Sequence, residues 1–94
     1  MRMRDRIAGR LRDAFAAQHL EVEDQSERHR GHAGWREGGE THFMVTLVSP
    51  EFAGLSRVER QRRVHAALTA ELADGIHALS LRLRTPEEWA ESGT

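Results

Sequence analysis

The chain has 94 residues, 38% hydrophobic and 31% charged, with a net charge of −1. A chain of this length supports one domain, residues 1–94, burying only about 60–65% of its unfolded surface, which leaves little room for a deep internal pocket. Near-neutral charge argues against broad attraction to nucleic acid or membrane, zero cysteine excludes disulfides, and no apolar run approaches the roughly 20 residues of a membrane span.

Residues 4–17 place Ile7, Leu11 and Phe15 at i, i+4, i+8, the pattern of an amphipathic first helix. Its start, Met1-Arg2-Met3-Arg4-Asp5-Arg6, is charged and lacks an apolar signal core, so a cytoplasmic protein is expected. Residues 19–26 alternate, with Leu20 and Val22 on one side and Glu21 and Glu23 on the other, as in a half-buried strand. The glycine-rich run from His29 to Gly39 reads as a mobile loop. Thr41 to Ser49 is the strongest strand signal, with Phe43, Val45 and Leu47 on one face. After a turn at Pro50–Gly54, Ser56 and Glu59 form the capping box of a helix running to about Ala73, with Val64, Leu68 and Leu72 as its core stripe. Gly75 suits the position after a helix end. His77 to Arg84 alternates again, with Leu79, Leu81 and Leu83 inward. Thr85-Pro86-Glu87-Glu88 opens a short final helix that Trp89 packs onto the domain, and residues 91–94 should fray.

The order α–β–β–α–β–α defines an α/β (α+β) domain with a three-stranded mixed sheet covered by helices. Strands one and two should pair antiparallel. Strands two and three, joined by a helical crossover, should run in the same direction. The starts of strands two and three and the glycine-rich loop then share one end of the sheet. His32, His42 and His77, remote in sequence, are expected at one rim.

Six histidines with no cysteine form the most distinctive chemical feature. Neutral imidazole is the commonest metal ligand and titrates near pH 7, whereas structural zinc and iron–sulfur sites usually also take thiolate. A metal centre held by these histidines would draw further ligands from another molecule, which points to a partner-dependent function. His77 shares parity with the inward leucines, so it reads as a core-edge residue or as a ligand. His32, among Gly31, Ala33 and Gly34, is a solvated loop residue or a ligand whose small neighbours admit close approach; His29 can substitute for it. His42 opens a strand on the face opposite Phe43, where a strand-end hydrogen bond is its simplest role. His65 reads as near-core beside the helix stripe, and His19 as part of a turn.

Arg57, Arg60 and Arg63 recur at i, i+3, i+6, with Arg62 beside them and only Glu59 opposing. Such a helix start is a solvated face or a set of phosphate contacts; positive charge there opposes the helix dipole. Gly31-His32-Ala33-Gly34 spells the G-x-x-G clamp of KH domains, but here it would join two strands, so the match reads as accidental. No nucleophile elbow, Walker loop or H-E-x-x-H occurs, and no catalytic residue is assigned.

Longer stretches resemble the BolA family: Leu20-Glu21-Val22-Glu23-Asp24-Gln25-Ser26, Gly39-Glu40-Thr41-His42-Phe43, Val48-Ser49, Phe52, Gly54-Leu55-Ser56, Arg60 to Arg63, Gly75-Ile76-His77-Ala78-Leu79, and Thr85-Pro86-Glu87-Glu88-Trp89. The resemblance covers nearly the whole chain and implies a class II KH-like fold. It implies partnership with a monothiol glutaredoxin, with a 2Fe–2S cluster shared between the two proteins and glutathione and none held by the isolated chain. The family's C-terminal ligand histidine falls on His77 and its loop ligand on His32, with His29 and His42 as alternates. Ligation needs neutral imidazole, so cluster binding is expected to weaken below about pH 6. The implied role is a non-catalytic adaptor in iron–sulfur cluster assembly, trafficking or iron regulation, monomeric or weakly dimeric alone. The alternative is a DNA-binding transcriptional regulator using Arg57, Arg60, Arg62 and Arg63. In the family's usual R-H-R helix motif, Gln61 here replaces the histidine.

Overall fold

The computed structural model describes residues 2–25 and 42–91. The loop expected at about 29–39, with His29 and His32, lies outside them, as does the tail from residue 92. The elements are α1 (Met3–Ala14), β1 (His19–Asp24), β2 (His42–Val48), a 3-10 turn (Pro50–Phe52), α2 (Arg57–Ala67), α3 (Thr69–Ala73), β3 (Ala78–Arg84) and α4 (Pro86–Glu91). Glu91, expected in the frayed tail, closes α4. No helix among the described residues is long and apolar enough to cross a membrane.

The sheet order is β1-β2-β3, with β1 antiparallel and β3 parallel to the central β2. The period-2 pattern of each strand is matched across the register. Leu20, Leu47 and Leu83 form one row, and Val22, Val45 and Leu81 the next. These side chains pack against a helical layer in which Met3, Ile7, Leu11 and Phe15 recur every fourth residue, with Val64 and Leu68 beside them. Phe15 also meets Phe52 at a ring-centroid distance of 5.3 Å. Fully burying a side chain of this size contributes about 1.5–3 kcal/mol, so the joint between sheet and helices dominates folding. The outer sheet face carries Glu21, Glu23, Thr46, Ser80 and Arg82 together with Met44, and at one end Trp89 of α4 stacks on His19 at 5.1 Å. His19 is therefore the first residue of β1, not part of a turn, and pairs in register with Val48.

Local chemistry starts the helices, although the expected Ser56 and Glu59 capping box shows its Ser56 half, the Glu59 carboxylate facing Arg62 and Arg63. Ser56 accepts a hydrogen bond from the Glu59 N–H at 3.1 Å and caps α2. Thr85 and Glu88 bond reciprocally, the Glu88 N–H to the Thr85 hydroxyl and the Thr85 N–H to the Glu88 carboxylate, completing a capping box for α4.

The single helix expected from Ser56 to Ala73 is instead two. Leu68 leaves helical geometry, at φ −103° and ψ 19°, and separates α2 from α3. The Thr69 hydroxyl donates to the Ala66 carbonyl at 2.8 Å, the back-bonding that bends helices. Past the bend the buried position is Glu71, 1% exposed, while Leu72 is only half-buried. Arg6 and Arg10 of α1 reach the Glu71 carboxylate at 3.2 and 3.3 Å, and Arg6 also meets Asp74 at 2.8 Å. This cluster ties α1 to α3.

Arg60 makes the second polar tie. Its guanidinium is buried over the Phe52 ring, donates to the carbonyls of Leu55 and Leu83, and grips Glu88 through two bonds of 2.7 and 3.0 Å. One side chain thus joins α2, β3 and α4. Arg60→Ala should cost about 2–3 kcal/mol in urea unfolding, because charged hydrogen bonds are lost and buried acceptors stranded. Hydrogen bonds from Arg60 and from the Thr85 N–H hold the Glu88 carboxyl down to about 2. With the folded value depressed, this stabilisation is complete above the ordinary carboxyl value of 4.5 and is lost as pH falls toward about 2. The urea midpoint should fall across that window, and less steeply in Arg60→Ala.

Candidate functional site

Two histidines meet at the rim where β2 and β3 begin. Parallel pairing aligns His42 with Ala78, the residue after His77. The two imidazoles lie 6.2 Å apart between ring centroids and are inclined by 50°. His42 is half-buried and His77 exposed. The His42 carbonyl accepts a hydrogen bond from the Gln25 N–H at 2.8 Å, which holds the start of β2 to the end of β1.

The segment before β3 explains how His77 is presented. α3 ends at Ala73 with Asp74 as its C-cap, and Gly75 turns the chain at φ 135°, a conformation that disfavours any side chain. Ile76 then enters the core, so the next residue, His77, is directed to solvent. The core-edge reading of His77 from its parity with Leu79, Leu81 and Leu83 is therefore replaced: Ile76 occupies that role.

The remaining histidines are elsewhere. His19 is at the opposite end of the sheet, stacked on Trp89. His65, expected near the core, is exposed and lines a shallow groove with Val58, Gln61, Arg62, Ala66 and Thr69. The buried stripe of α2 is narrow, and a residue one place beyond Val64 already faces out.

Among the described residues no group of three or more His, Cys, Asp or Glu side chains is placed to hold a metal ion. Metal–nitrogen bonds are about 2.0–2.1 Å, so imidazoles at this spacing can serve one centre or adjacent ones after small rotations. The two described imidazoles fit a centre whose other ligands come from elsewhere, and do not by themselves make a closed structural site.

The arginine row separates into different environments. Arg57, Arg62 and Arg63 are exposed, and the last two approach Glu59 at 3.9 and 3.4 Å. Arg60, grouped with them in the sequence, points inward to Glu88 and is not presented to a phosphate. Sequence patterning passed over Glu71 and Arg84. The first reads as a solvent-facing helix residue, and the second gains its meaning only from Arg57 across a cleft.

This is a small α+β domain in the KH-like order, presenting nitrogen donors at a sheet rim without a thiolate. A family model described as BolA-like protein matches residues 11–88, and the chain belongs to that family. It is 44% identical over 86 residues to BolA-like protein 1 of Homo sapiens, covering 92% of this chain and 60% of that one. It therefore spans less than two thirds of that relative's length. It is 43% identical over 89 residues to the DNA-binding transcriptional regulator BolA of Escherichia coli (strain K12), covering 95% and 81% of the two chains. The structure of BolA1 from Arabidopsis thaliana is similar with a TM-score of 0.83 at 35% identity, covering 94% of this chain and 96% of that one.

Gly75→Ala should cost about 1–3 kcal/mol, because a side chain is forced into a sparsely populated backbone region. Urea unfolding measures the cost. Loss of the nuclear Overhauser contact between the His42 and His77 rings would show that the turn positions His77.

Proposed function

We propose that the chain is a non-catalytic adaptor that binds a monothiol glutaredoxin and offers imidazole nitrogen to a 2Fe–2S cluster shared with glutathione. The observation that carries this reading is the His42–His77 juxtaposition at the sheet rim, in a chain without cysteine. His77 is the principal ligand: it is exposed, it follows an anchored isoleucine, and the family resemblance assigns the same residue. His42 is the neighbouring donor. His32 and His29, the loop candidates, lie outside the described residues. The cluster is cargo whose iron the partner's thiolates would hold from the other side. Mixed nitrogen and sulfur ligation would raise its reduction potential above that of an all-thiolate cluster. The chain's contribution is positional, since the β2–β3 pairing holds the donors at one end of a rigid sheet.

Mixing the protein with glutaredoxin, glutathione and reconstituted cluster, followed by visible absorption and circular dichroism, tests the reading. His77→Ala should abolish or redraw the mixed-complex spectrum. His42→Ala should shift it less, and His19→Ala, at the other pole, should leave it unchanged. An unaltered spectrum in His77→Ala removes the ligand assignment.

A second reading, binding of duplex DNA, is favoured by the name of the Escherichia coli relative and by exposed Arg57, Arg62 and Arg63. Its affinity should fall with salt by a slope of about −0.9 per phosphate contacted. Salt-independent or absent binding discards it.

A further inference from the structure

Arginines remote in sequence converge at the opposite end of β3. A narrow cleft of about 40 Å³ between α2 and the edge strand is lined by Arg57, Arg60, Gln61, Leu81, Leu83 and Arg84. Arg60 is neutralised there by Glu88. Among the described residues Arg57, Arg84 and neighbouring Arg82 make no ion pair, and the hydrogen bond from their guanidinium groups is the one from Arg84 to the Leu83 carbonyl, at 3.1 Å. Among the described residues positive charge is thus gathered at a partly enclosed place, where Glu88, already bonded to Arg60, is a partial counter-charge.

We propose that this cleft is an oxyanion site that seats a single phosphate group between Arg57 and Arg84, with the Gln61 amide as a further donor. Three observations support it. The first is shape: a water needs about 10–15 Å³ of such space, so the cleft holds roughly three waters, the scale of one tetrahedral oxyanion but not of a base or sugar. The second is chemistry, because planar guanidinium forks match phosphate oxygens in bidentate fashion. The third is electrostatic stress. Burial, followed by the charges of Arg57 and Arg82, pushes the Arg84 guanidinium below its ordinary value, and the opposing effect of Glu88 is smaller. A bound dianion relieves that repulsion. The leucine floor lowers the local dielectric, which strengthens each contact.

The site is independent of the histidine rim and involves no metal. It differs from the row of arginines along α2, because Arg84 belongs to β3 and Arg62 and Arg63 are not in the cleft. It narrows the duplex reading to one point of phosphate contact, while also admitting free phosphate compounds.

The test is a proton–nitrogen correlation titration of the full chain with inorganic phosphate, against sodium chloride at equal ionic strength. Saturable shifts centred on Arg57, Gln61 and Arg84, at a Kd on the order of millimolar, are expected with phosphate only. Arg57→Gln and Arg84→Gln should each weaken binding about tenfold, as charge-assisted bonds are lost. Arg12→Gln, on the exposed side of α1, should not. Thermal unfolding of each variant checks the fold. An equal response to chloride, shifts centred on Arg62 and Arg63, or unchanged binding in both cleft variants overturns the proposal. A parallel titration with a short DNA duplex identifies the source. A salt slope reduced by about one in Arg84→Gln supports the site with nucleic acid as the phosphate donor. Phosphate binding without duplex binding supports it with a free phosphate compound, and discards the duplex reading alone.

Discussion

The parallel pairing of β2 with β3 is the constraint on which both proposed sites rest. In a parallel ladder both strands begin at one end and finish at the other. His42 and the residue after His77 are therefore neighbours at the start of the two strands, and Arg84 reaches the far end beside α2. An antiparallel third strand would have separated the imidazoles by the length of the sheet. The inward rows of leucine, valine and phenylalanine hold this register, since a slip of one residue would turn every one of them to solvent.

Two buried charges brace the frame. Arg60 joins α2, β3 and α4 through carbonyls and the Glu88 carboxylate; Glu71 joins α3 to α1 through Arg6 and Arg10. Each is an ion trapped in a largely apolar layer, where removing one partner is far more costly than the pair is favourable. Such pairs add little net stability for their cost of desolvation, but they penalise misplaced helices sharply. In a small domain with a thin core, that discrimination helps select one arrangement of four short helices around three strands.

Most of the fold was legible in the sequence. Period-2 alternation in residues 19–24, 42–48 and 78–84 marked all three strands, and Ser56, Thr85 and Pro86 marked helix starts through capping chemistry that operates locally. The meeting of His42 and His77 was legible too, because strand direction follows from the connection. The buried charges were not. Arg60 and Glu71 have the composition of a solvent-facing surface, and their burial depends on partners 28 and 65 residues away. The bend at Leu68 leaves the apolar spacing of the sequence nearly intact and is accompanied by the Thr69 hydroxyl's bond to the Ala66 carbonyl, which the spacing does not announce. The alignment of Arg57 with Arg84 needed the packing angle of α2 on the sheet, which hydrophobic periodicity does not encode.

β3 is seven residues long. At 3.2–3.4 Å per residue it separates its two ends by roughly 20 Å. Two visitors, one at each tip, would not collide, and each would feel the other only through the stiffness of a single extended segment. A domain of this size would in this way act as a spacer, keeping whatever the two proposed sites hold at a set separation.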